Sequence, residues 1–261
     1  MKFKSRFVNR HEGFLFGLLG ISSVLIVWQF FSNLNILNPI FLSSPVKVFK
    51  ETLIFFQSGF IYSHLLVSLN EFVLGFISSI VIGILLGFVF GWYKKANYMA
   101  KPVIYAFYVT PIVAIFPLII IWFGVGIFSK VMIIFIATVF PILINVAEAV
   151  RNIDPNLLRL AKSFKATDFK ILTTIAFPYC FPSILSGIRI AMPRAIIGMV
   201  LSEFFLGNEG LGYLVSYFAA TFQTARFLSV ILILIFISIL VNFFIDLVEK
   251  NIKFSKYKGI S

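Results

Sequence analysis

Residues 151–182 read RNIDPNLLRLAKSFKATDFKILTTIAFPYCFP. This polar and basic run, about thirty residues long, lies between two long apolar stretches in a chain that is otherwise almost continuously hydrophobic. A membrane protein that holds such a segment between two spanning helices presents a handle to something in the water. Within it, Asp154-Pro155 predicts a helix start, the carboxylate as N-cap and proline in the first turn. Leu157, Leu160, Ala161 and Phe164 then recur at i, i+3, i+4 and i+7, an apolar stripe from which Arg159 and Lys162 point away. Thr167 or Asp168 caps a second short helix through Phe169, Ile171 and Leu172 that is expected to end near Pro178. The residues alone fit two uses: a knob seated in a cleft of a soluble partner, or an amphipathic helix resting on anionic lipid.

Outward from the handle, composition sets the solvent. Of 261 residues, 60% are hydrophobic and 12% charged, and the mean hydropathy is +1.03. A soluble domain of this size cannot hide that much apolar side chain, so the bilayer is its solvent. The net charge of +12 sits in short clusters between apolar spans, which argues for membrane topology and against a nucleic-acid partner. The single cysteine, Cys180, has no partner for an internal disulfide and no metal-ligand spacing around it. The opening MKFKSRFVNRHEG followed by FLFGLLGISSVLIVWQFF is signal-like, but its apolar part is too long and lacks a small-residue cleavage site, so a retained first span is expected.

At ~20 apolar residues per crossing, six spans are predicted: 14–31, 67–91, 102–123, 128–147, 183–206 and 227–248. With no period-two pattern, the fold class is an all-α polytopic bundle of six transmembrane helices. It is read as one membrane domain, 14–250, with a first segment 1–13 and a tail 251–261. Gly83, Gly87 and Gly91, spaced at i, i+4, are expected to admit a neighbouring helix closely. With the N-terminus inside, sixteen of the 22 Lys and Arg residues fall in inside segments. Four (Lys47, Lys50, Lys130, Arg226) fall outside, and Arg189 and Arg194 lie within the fifth span. That bias places both termini and the handle in the cytoplasm. Outside, Ser44-Pro45 opens a short surface helix with Val46, Val48, Phe49, Leu53 and Phe56 as apolar positions. The stretch GNEGLGYLVSYFAATFQTAR either packs Tyr213, Tyr217 and Phe222 at the interface or takes part in gating.

The segment AKSFKATDFKILTTIAFPYCFPSILSGIRIAMPRAIIGMVLSEFFLGNEGLGYLV resembles the coupling loop and following span of binding-protein-dependent ABC importer permeases of the type I fold. The subgroup is the one that includes nitrate, sulfonate, taurine and thiamine-precursor importers. FLSSPVKVFKETL, SLNEFVLGFISSIVIGILLGFVFG and TPIVAIFPLIIIWFGVGIFSK resemble further parts of that group in the right order, over roughly residues 40–250. The resemblance implies a permease subunit, embedded in the inner membrane and dimeric, that carries a small polar solute delivered by an extracytoplasmic binding protein. It implies a separate cytoplasmic ABC ATPase dimer, which binds the ATP, and no cofactor on this chain. It assigns ATPase coupling to Arg159, Ala161, Lys162, Ser163, Phe164, Lys165, Ala166, Thr167, Asp168 and Lys170. Pro111, Pro117, Gly187, Glu203, Gly210 and Gly212 are assigned to the path or its gates.

The chain departs from the family pattern inside the loop: Arg159 stands where a glutamate is usual and Lys165 where a glycine is. Glycine would permit a positive φ between the two short helices, and lysine resists it. The turn therefore takes another form, or the ATPase surface is adapted to a more cationic knob, or coupling is degraded; adaptation is preferred. Pro193, where the group has a small residue, is expected to kink the fifth span. No catalytic constellation, phosphate-binding loop or metal cluster is legible, so the chain is read as a non-enzyme. The competing reading is an ion-coupled transporter or membrane-embedded enzyme built on the intramembrane carboxylates Glu203 and Asp246.

Overall fold

The computed structural model describes residues 10–34 and 41–257, with side chains for 15–34 and 41–247. Most of the first segment and the end of the tail therefore lie outside the described residues, as do the side chains of the terminal lysines and arginines. Helices α1 (Arg10–Asn33), α2 (Pro45–Gln57), α3 (Phe60–Trp92), α4 (Lys94–Val109), α5 (Ile112–Phe123) and α6 (Ile127–Arg151) come first. They are followed by α7 (Pro155–Ser163), α8 (Asp168–Ile171), α9 (Phe177–Leu206), α10 (Leu211–Ala220) and α11 (Thr224–Tyr257). Five helical stretches are long and apolar enough to cross a membrane, and the bent pair α4–α5 makes a sixth crossing if taken as one. The all-helical six-span expectation holds, with two corrections to its boundaries.

The third predicted span, 102–123, is not one straight helix. Helices α4 and α5 meet at 102° because Pro111 disfavours helical backbone at the residue before it. Thr110 is accordingly extended (ψ 126°), and its hydroxyl donates to the Ala106 carbonyl at 2.7 Å. Nor does the helix after Thr167 end at Pro178. A π-turn, Leu172–Ala176, joins α8 to α9, giving 39 continuous helical residues from Asp168 to Leu206. Pro178 falls in the first turn of α9, next to the wider π-turn, where its missing N–H costs little. The helix also continues through Pro182 and Pro193.

The chain divides into two compact units, residues 1–61 with 217–233 and residues 62–216 with 234–261. In the first, Ser44 caps α2 by accepting from the Lys47 amide, as its Ser-Pro sequence predicts. The Trp28 indole donates to the Ser43 carbonyl at 2.9 Å, and Ser229 donates to Val48 at 2.8 Å. Phe55 stacks on Phe218. The buried apolar residues of α2 are Val48 and Phe55, whereas Val46, Phe49, Leu53 and Phe56 are exposed. Of the predicted stripe, Val48 is the buried member.

In the second unit α6 is central: Ile133, Ile134, Ile142 and Val146 have no exposed surface. Helix α3 packs on it in a fixed register. Added Cβ atoms at Gly75, Gly83, Gly87 and Gly91 would lie 2.5–3.0 Å from side-chain carbons of Ile134, Ile142, Val146 and Val150 respectively. Each partner is the same distance further along the chain, so the two helices run parallel. The small residues let a row of β-branched side chains lie directly against the α3 backbone. Helix α9 lies on another side of α6, with Gly187 against Ile142 and Asn145 and Gly198 against Ile134.

Candidate functional site

The 151–182 run folds as a knob. The Asp154 carboxylate accepts from the Asn156 amide at 2.8 Å, and Thr167 caps α8 by accepting from Lys170. Between them, Lys165 has φ 55°. The Ala166 amide donates to Ala161 and the Lys165 amide to Lys162, the paired bonds of a Schellman C-cap. The turn therefore keeps the positive-φ form that a glycine would favour, with a lysine in it, and the expectation of a differently built turn is set aside. The predicted apolar stripe is also corrected. Ala161 and Leu158 turn inward, while Leu157, Leu160 and Phe164 are exposed. Phe164 and Phe169 show 80% and 77% of their surface beside exposed Arg159, Lys162, Ser163, Lys165, Asp168 and Lys170. Lys162 approaches Asp168 at 3.9 Å in the open, a contact that contributes little. The Tyr179 hydroxyl donates to the Asn152 carbonyl at 3.1 Å, tying the start of α9 to the end of α6.

At the opposite end of α6 and α9 lies a buried polar cluster that the sequence reading did not assemble. The Lys130 ammonium meets Glu71 at 2.8 Å, both nearly fully buried. This pair continues the α3–α6 register one turn beyond Gly75 and Ile134. Glu203, with no exposed surface, is an electrostatic neighbour of both Glu71 and Lys130. Three successive amides at the start of α10 are capped by other elements. Gly210 donates to His64 Nδ1 at 3.1 Å, Leu211 to Ser68 Oγ at 2.8 Å, and Gly212 to Glu203 Oε2 at 2.6 Å. A carboxylate at a helix N-terminus is favourably placed. Gly210 is required on two counts, its φ of 110° and its closeness to the Glu203 carboxyl. Two carboxyl oxygens, Glu71 Oε2 and Glu203 Oε1, have no donor among the described residues.

Asp246 is engaged elsewhere, with Arg189 at 2.6 Å. Arg189 and Glu203 are fourteen residues apart on α9, about 21 Å of helix rise. The two carboxylates of the ion-coupled reading are thus each otherwise employed, and they are not brought to one site. Of the remaining predicted path residues, Pro111 sits at the α4–α5 break and Pro117 is exposed on α5. Gly187 is a helix-crossing contact with α6.

The break opens a cavity of about 200 Å³. Its walls include Phe107 and Tyr108 of α4, Ile112 of α5, Phe140 of α6 and Arg194 of α9. Arg194 lies with its guanidinium carbon 4.4 Å from the centre of the Tyr108 ring. Its sequence position places this residue within the fifth span and assigns it no role. The signal was present, since an ionisable residue within a span is a functional candidate.

The chain is similar to known membrane transport proteins. The family described as "Binding-protein-dependent transport system inner membrane component" matches residues 79–254. A Bacillus subtilis protein named as an aliphatic sulfonates transport permease, SsuC, is 28% identical over 94% of this chain and 88% of its own length. The formylaminopyrimidine transport permease protein ThiX of Halalkalibacterium halodurans is 32% identical over 73% of this chain and 75% of its own. The taurine transport system permease protein TauC of Escherichia coli is 28% identical over 83% and 82%. Among solved structures, an inward-facing MetNI methionine ABC transporter covers 73% of this chain and 93% of the matched one, with a TM-score of 0.57 at 17% identity. That likeness is one of fold.

Proposed function

The chain belongs to the binding-protein-dependent transport system inner membrane component family, and from that premise we propose that it is the solute-conducting subunit of an importer driven by a separate ATPase through the 154–176 loop. The observation that carries this reading is the knob. Two phenylalanines are exposed on a basic surface, on a turn held by capped helices and a Schellman pair. Exposed aromatic side chains on a rigid, charged projection fit a cleft in a partner, where their burial is favourable.

The knob is continuous with the bundle. Helical backbone runs from Asp168 into α9, and Tyr179 ties α9 to the end of α6. Closure of an ATPase dimer on ATP would move the knob and, through these helices, bias the path between two states. The residues at 159 and 161–168, with Lys170, are the coupling set in this reading. Pro111, Pro117 and Gly187 are points where helices rearrange, and Glu203, Gly210 and Gly212 latch the far end. Two copies of the chain would enclose the path, with both termini and the knob in the cytoplasm and a binding protein delivering a small polar solute from outside. ATP would reside on the partner, and this chain would perform no chemistry itself.

The test is charge reversal in a reconstituted complex with the ATPase and binding protein. Arg159→Glu and Lys162→Glu are expected to leave the protein in the membrane while lowering solute-stimulated ATP hydrolysis and uptake by about tenfold, the scale of one lost charge-assisted contact. Unchanged coupling in both variants overturns the assignment.

A further inference from the structure

The cavity at the α4–α5 break carries a specific chemical demand. Its wall holds one cation, Arg194, and no carboxylate. Among the described residues the Arg194 guanidinium makes no ion pair or hydrogen bond, and its contact is the Tyr108 ring. Arg189, five residues earlier on the same helix, shows the contrast: it is held by Asp246 at 2.6 Å. A half-buried arginine within a span is costly without an anion, and tyrosine stacking leaves its five N–H donors unfilled. A lipid phosphate is poorly placed to fill them. Arg194 is twelve residues from the end of α9 at Leu206, about 18 Å of rise, near the middle of a hydrocarbon core of ~30 Å.

The remaining wall is apolar. Phe107 and Phe140 stack at 5.5 Å with their rings nearly parallel, and isoleucines of α5, α6 and α9 with Ala137 line the rest. The Thr110 hydroxyl is spent on the Ala106 carbonyl. The N-terminus of α5, without a side-chain cap, opens on the same space and adds a field favourable to negative charge.

We propose that this cavity is a solute-selecting site in the translocation path, and that it takes a small organic anion whose oxyanion group, sulfonate or carboxylate, accepts two hydrogen bonds from Arg194 while its hydrocarbon part lies against Phe107 and Phe140. A planar guanidinium matches such a group bidentately. Because the wall has no acid, a net-negative solute is preferred over a zwitterion bearing the same anionic group. The inference rests on the permease reading and deepens it by naming the solute class.

The experiment uses the full chain in phosphatidylcholine nanodiscs and saturation-transfer NMR. The probes are ethanesulfonate, its neutral analogue diethyl sulfone, and the zwitterion taurine. Ethanesulfonate is expected to receive saturation, taurine less, and diethyl sulfone little. Arg194→Gln is expected to weaken the ethanesulfonate response by at least about tenfold, with partial retention in Arg194→Lys, and gel filtration verifies that both variants fold. An equal response from diethyl sulfone, or one that survives Arg194→Gln, overturns the site, as does its loss when phosphatidylglycerol replaces part of the lipid. Co-purification with an ATPase is scored in parallel. Its absence alongside anion binding removes the importer reading and not the site, and the converse result removes the site alone.

Discussion

Lys165 shows how a single residue both follows and breaks a rule. A lysine at φ 55° costs on the order of 1 kcal/mol relative to glycine, yet the Schellman bonds around it are formed. Lys165→Gly is therefore expected to slow hydrogen exchange at the Ala166 amide by about fivefold. If the lysine is retained for its charge, the same variant also weakens ATPase binding. Residue chemistry is equally sharp at Glu71 and Lys130. Lys130→Met leaves two buried carboxyl groups facing each other without their cation, and is expected to lower the stability of the solubilised protein by about 3–5 kcal/mol. Glu71→Leu added to Lys130→Met should recover part of that loss, as read by thermal unfolding. The sequence made the oddity at 165 visible but not its backbone angle. It gave no hint that Lys130, assigned to an outside turn, is buried 59 positions from its partner.

At the scale of elements, the α3–α6 contact illustrates what spacing reveals. Glycines at 83, 87 and 91 announce a close approach, but not which helix approaches. The structure supplies α6, in a register that also carries the Glu71–Lys130 pair. An added Cβ at Gly87 would stand 2.6 Å from Val146 Cβ, so Gly87→Ala is expected to destabilise by about 1–3 kcal/mol. Combining it with Val146→Ala should restore little, because the obstructing Cβ is retained, whereas Val146→Gly, which removes it, should restore a measurable part. The α4–α5 break is a comparable case. Pro111 was legible as a point of flexibility, while the 102° bend and the cavity beside it depend on what the separated helix ends pack against.

For the whole molecule, the central matter is which face holds the knob. The positive charges, concentrated in segments on one side of the spans, predict that a single cysteine replacing Lys162 is labelled from the cytoplasm and protected from outside reagents. The native Cys180 has no exposed surface and should give little background. Labelling from the outside would overturn the orientation and the ATPase partnership together. Bundle architecture and family were legible from apolar length and loop motifs, because hydrophobic thickness and backbone satisfaction leave a membrane chain few alternatives. The polar sites were less so: Glu203, read as a path or gate residue or as an ion-coupling carboxylate, caps α10 from nine residues away, with Ser68 and His64 of α3 doing the same for its neighbours.

The sequence alone determined the solvent, the helical class, the approximate spans and the place of the basic knob, since each follows from the transfer energy of local side-chain runs and from capping chemistry within a turn or two. Only the tertiary structure decided that Lys130 is spent on Glu71, that α4 and α5 part at Thr110, and that Arg194 meets no carboxylate among the described residues. Those outcomes depend on which side chains meet across separate helices, and electrostatic pairing at a few ångströms cannot be read from separation along the chain.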